Sequence, residues 1–167
     1  MNHLHTVALA TLLFAATFPL AAEPVAPAPN GISLPSDYKD WRFITVLNRT
    51  DNNTLRVIVG NDTAIHAVRE GQTHPWPNGA ILGKLAWRTK IRANWESAII
   101  PDKFQEVAFM IKDTDKFSTT GGWGFAKWVG KKLTPDGDDA NFAQECFGCH
   151  TQVKDSDYVF IELAPLP

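Results

Sequence analysis

The sequence predicts a mostly β (α+β) domain: an antiparallel sheet of about five to six strands with short helices, the C-terminal helix carrying a cysteine–histidine motif. Three observations lead there. Short runs rich in β-branched and aromatic residues recur along the chain. Polar or Gly/Pro clusters separate them. No long amphipathic helical segment appears, which disfavours a helix bundle.

Trp41 to Leu47 (WRFITVL) and Thr54 to Val59 (TLRVIV) read as two strands of a hairpin joined by the turn-rich Asn48 to Asn53. Gly60-Asn61-Asp62 breaks the second strand and offers an N-cap for a short helix from Thr63 to about Glu70. His74 to Gly79 (HPWPNG) forces a turn before a third strand, Ala80 to Arg88. Phe104 to Lys112 is the fourth strand, with Val107, Phe109 and Ile111 alternating against more mixed residues. Gly121 to Val129 (GGWGFAKWV) is the fifth, its glycines and spaced aromatics suited to a sheet bending around something. A polar loop from Lys131 to Ala140 leads to a helix over Asn141 to Val153. Tyr158 to Leu163 (YVFIEL) is a final strand.

With 167 residues the chain fits one domain, and 44% hydrophobic content is enough for a buried core. Six Trp, ten Phe and two Tyr suit a small core that also wraps a large flat ligand. A net charge of -2 excludes the basic footprint of a nucleic-acid binder and gives no case for docking on an anionic membrane. Val7 to Ala22 is an uncharged, Ala-rich run, shorter than the ~20 residues of a transmembrane helix. It reads as a secretory leader, residues 1–22, cleaved after Ala22, or else as an uncleaved anchor. Either way the rest of the chain lies outside the cytoplasm. Residues 23–31, with three prolines, read as a stiff solvated spacer, and residues 32–167 as the folded domain.

Two cysteines exclude a disulfide-stapled mini-fold. Both belong to Cys146-Phe147-Gly148-Cys149-His150, the C-x-x-C-H signature of c-type haem attachment. Two thiols on one helical turn reach the two vinyl groups of the porphyrin, and the adjacent His150 offers its imidazole to the iron. A single motif implies one covalently attached haem c per chain. A redox C-x-x-C would need a thioredoxin-like βαβ context, and a plain disulfide leaves His150 unexplained. For a sixth ligand only His66, His74 and Met110 remain. The histidines read as surface residues and Met110 as filling the sheet. The iron is therefore expected to be five-coordinate, with a side open to a small ligand.

The order of LRVIVGNDTAI, PNGAILGKLAW, MIKDTDKF, GGWGFAKW and AQECFGCH resembles the cytochrome P460 and cytochrome c′-β family. That resemblance implies a periplasmic, mostly β haem c protein. Members of the P460 branch attach a strand lysine to the porphyrin rim and oxidise hydroxylamine and related nitrogen oxides. The c′-β branch lacks the link and binds nitric oxide and similar gases. Lys84 in NGAILGKLAW matches the place of the linked lysine. On its own residues, Lys84 shares a strand face with Ala80, Leu82 and Ala86, where a lysine must snorkel, pair or react. Arg56 falls where the resemblance suggests an arginine near the ligand pocket, able to stabilise a polar or anionic ligand. Asp138, flanked by Asp136 and Asp139, lies on the loop before the haem helix and is the candidate proton relay. The expected partners are a small nitrogenous ligand (hydroxylamine or nitric oxide) and a redox partner cytochrome. Dimers are common in the resembling family, which makes a homodimer one expected assembly. The alternatives are a c′-β-like gas binder without turnover and a simple electron-transfer cytochrome.

Overall fold

A computed structural model describes residues 24–165. The expected leader lies outside them. Strands β1 (Arg42–Arg49), β2 (Thr54–Gly60), β3 (Ile81–Arg92), β4 (Trp95–Lys112), β5 (Trp123–Val129) and β6 (Thr134–Pro135) form one sheet in sequence order. Every neighbouring pair is antiparallel. Two short helices accompany it, α1 (Asp62–Arg69) and α2 (Phe142–His150).

Local chemistry accounts for the junctions. The polar turn between β1 and β2 places Asn53 at φ 52°, a left-handed position that Asn tolerates. Asn61 caps α1, its Oδ1 accepting from Ala64 N at 3.0 Å. The same oxygen accepts from Ile81 N, and Asn61 Nδ2 donates to the Gly79 carbonyl. One side chain thus ties the helix start to the start of β3.

Four expectations are corrected. The third and fourth strands are longer than their apolar runs: β3 reaches Arg92 and β4 begins at Trp95, closing a hairpin at Asn94, φ 64°. Its outer end carries Ile91, Trp95 and Ile99 exposed. The final strand, Tyr158 to Leu163, does not form; α2 instead runs into a 3-10 stretch (Thr151–Ser156) and the chain continues without ladder pairing. Asp157 and Tyr158 there take φ of 51° and 65°, which no strand allows. The sixth strand is the two-residue β6. Lastly, the Pro/Ala-rich stretch is not a solvated spacer throughout. Ala28 is buried, Trp128 Nε1 donates to the Ala26 carbonyl, and Asn30 Nδ2 donates to the Phe125 carbonyl.

The sheet is covered on both faces. Val107, Phe109, Ala126 and Trp128 point to one side, against the N-terminal segment through Ala28, Ile32 and Tyr38. Tyr38 and Trp128 both meet Phe109 edge-on. The other side packs Ile44, Ile58, Leu82, Trp123 and Phe125 with α1. Tyr158 and Ile161 pack against that cluster, and toward β4 and β5 a cleft opens. Among the described residues no helix is long and apolar enough to cross a membrane.

Candidate functional site

The cleft has a volume of about 530 Å³, within the range of small-molecule and cofactor sites. Its floor is the sheet. Leu47 from β1, Arg56 and Ile58 from β2, and Leu82 and Lys84 from β3 line one part. Glu106, Ala108 and Met110 from β4, with Phe125 and Lys127 from β5, line the rest. Ala108 sits directly between Lys84 and Lys127 in the ladder, so a small side chain leaves space where the charged ones meet. The wall opposite is Cys146, Cys149 and His150 from α2, with Val159, Phe160 and Ile161 from the irregular segment.

Both thiols are free. Burial pushes the Cys146 thiol up, against the opposing pull of Lys127 and Lys84. Cys149 is exposed. His150 lies between Phe125 and Phe160, with ring centroids 5.1 and 5.2 Å away. Its Nδ1 is 2.6 Å from the Tyr158 carbonyl oxygen. A carbonyl only accepts, so Nδ1 carries the proton and Nε2 keeps its lone pair. Burial lowers the His150 pKa, outweighing the carbonyl's opposite pull, and favours the neutral ring. A neutral imidazole with Nδ1 held by a carbonyl is the usual state of a metal-ligating histidine. Two free thiols, that imidazole and a largely apolar cleft together fit a haem, which Cys146, Cys149 and His150 would hold.

Lys84 points into this cleft and pairs with Glu106 Oε1 at 2.8 Å. The two are diagonal neighbours across β3 and β4, since Lys84 faces Ala108 and Ala86 faces Glu106. Burial works against the Glu106 carboxylate, but Lys84, Lys127 and Arg56 outweigh it and hold its pKa below the ordinary value. Arg56 also lines the cleft. Burial, then Arg49, lowers its pKa without threatening its charge. Asp138 is exposed on the loop before α2 and does not line the cleft. The neighbouring Asp136 does approach it, binding cleft-lining Lys127 at 2.7 Å. His66 and His74 are exposed and lie away from the cleft, whereas Met110 lines it.

The structure thus brings Lys84, Arg56, Cys146, Cys149 and His150 to one cavity and leaves Asp138 outside it. Glu106, Arg49 and the segment Val159 to Ile161 were not singled out from the sequence as site residues. Glu106 lies within the predicted fourth strand, but its pairing with Lys84 depends on the register of two strands.

A six-stranded antiparallel sheet with a C-x-x-C-H helix over an apolar cleft defines a mostly β protein built to enclose a large flat group. The family model for Cytochrome P460 matches residues 35–161, and the chain belongs to that family. It is accordingly a haem protein of that family. No curated protein matches the chain.

Proposed function

We propose that this is a periplasmic c-type haem protein that oxidises hydroxylamine or processes nitric oxide, with one haem attached through Cys146 and Cys149 and ligated by His150. The observation that carries the reading is Lys84 in the same cleft as Cys146, Cys149 and His150, ion-paired and partly shielded from water. When bound, the haem supplies an iron that can bind a small nitrogenous ligand and exchange electrons with it. The chain's own residues supply the rest. Arg56 brings a fixed positive charge that orients a polar or anionic ligand. Oxidising hydroxylamine releases protons. Glu106, ionised and inside the cleft, is the acceptor for them in place of the exposed Asp138. Lys84 makes the third attachment to the porphyrin in this reading, and its place in the cleft lining supports it. A redox partner cytochrome takes the electrons, and the uncharged run Val7 to Ala22 directs export.

The aliphatic part of the cleft floor, Leu47, Ile58 and Leu82, favours a second reading, a gas-binding protein of the c′-β kind without turnover. Peptide mass spectrometry of the haem-loaded protein separates the two. The expected result is that the Lys84 peptide travels with the haem peptide bearing Cys146 and Cys149. A free Lys84 peptide beside a haem held by two thioethers would discard the attachment and leave the gas binder.

A further inference from the structure

We infer that the buried pair Lys112–Asp157 is a positioning device for His150, setting through one backbone carbonyl how strongly the imidazole is held. The inference rests on the reading of His150 as the iron ligand. Lys112 ends β4 and is only 3% exposed, an unusual place for an ammonium group. Its Nζ lies 2.8 Å from both Oδ1 and Oδ2 of Asp157, and it donates to the Gly121 carbonyl at 3.3 Å. The same Nζ sits 4.9 Å from the centre of the Trp123 ring. Asp157 Oδ2 also accepts from Trp76 N, and the Asp157 carbonyl accepts from Trp123 Nε1. Every polar atom of the Asp157 side chain is therefore committed, as is its carbonyl.

This anchoring acts on the next residue. Asp157 and Tyr158 are both left-handed, with φ of 51° and 65°. Two consecutive non-glycine residues in that region persist only where the surroundings over-determine them. The conformation turns the Tyr158 carbonyl toward His150 Nδ1, 2.6 Å away. The Tyr158 ring closes over Gly121, where a Cβ would come within 2.3 Å of it, and packs against Phe147 inside the C-x-x-C-H motif. The chain from Lys112 to the imidazole is thus continuous: ammonium, carboxylate, strained backbone, carbonyl, Nδ1–H. Partners of this kind fix ring orientation and raise the basicity of a metal-ligating histidine. Neither Lys112 nor Asp157 lines the cavity, so the pair reaches the site through the backbone of Tyr158.

The test uses the haem-loaded protein and two readouts, the iron–histidine stretching band of the ferrous state and the midpoint potential. Lys112→Met should loosen the carbonyl, move the band to lower frequency and raise the potential, because a less basic imidazole stabilises the ferric state less. Lys112→Arg, which keeps the charge, should restore both toward the wild-type values. Should Lys112→Met not accumulate, Asp157→Asn carries the same test, as its amide oxygen still accepts from Trp76 N. A band and potential unchanged in a variant of reduced thermal stability would overturn the inference and leave the pair a matter of stability alone. Absence of any iron–histidine band in the wild-type protein would instead overturn the ligand reading, and the inference with it.

Discussion

Leu85, Val107 and Trp128 are one rung of the sheet, paired directly across β3, β4 and β5; Lys84, Ala108 and Lys127 are the adjacent rung on the same strands. The first rung points into a closed core, with Val107 and Trp128 fully buried under the N-terminal segment. The second points into the cleft and carries two lysines around an alanine. Side chains alternate across a strand, so a single step in register separates a face that holds the fold from a face that holds the site. The teaching is about tolerance. The covered face is filled by rings that leave no room, whereas the cleft face keeps volume and charge that a core would exclude.

The largest test of this contrast is Trp128→Ala. It empties the centre of the covered face and removes the bond to the Ala26 carbonyl. A loss of about 3–5 kcal/mol in urea denaturation is expected. A loss under about 1 kcal/mol would mean that face is not the stabilising one.

Glu106→Gln on the cleft face should cost less, on the order of 1 kcal/mol at neutral pH, because both partners of the ion pair still touch water. It also sharpens the comparison through pH. The Glu106 pKa is lowered in the folded protein, so the unfolded chain takes up the proton first. The stabilisation is complete above the ordinary glutamate pKa, about 4.3, and is lost as pH falls through the lower folded value. Denaturation midpoints between pH 3 and 7 should therefore fall more steeply on the acid side in the wild type than in Glu106→Gln. Identical slopes would show that the carboxylate is not held by its cationic neighbours.

The smallest effect belongs to the outer end of the β3–β4 hairpin, where both faces meet solvent. Ile99 is 53% exposed, and Ile99→Thr should change stability by no more than about 0.5 kcal/mol in the same denaturation assay. A larger loss would mean that this end is covered by something in solution.

By itself the sequence determined the runs of β1 to β5, the turn between β1 and β2, a helix cap within Gly60 to Asp62 and the C-x-x-C-H motif, because each rests on neighbours a few residues apart. Its period of two put Lys84 with Leu82 and Ala86, but left open which side of β3 faced the core. Tertiary structure decided that, and the reason is visible: both sides are largely apolar and both are covered, one by residues 28–38 and one by α1, α2 and the segment after it. It also decided that Tyr158 to Leu163 is not a strand, and that Val159 to Ile161 form a wall of the cleft. The run has strand composition, yet Asp157 is drawn to Lys112, 45 positions away, and the turn this imposes sends the Tyr158 carbonyl to His150. Asp138 and Glu106 separate on the same ground. A carboxylate's place in a loop or a strand is legible, but the cations around it come from other strands, and only folding assembles them.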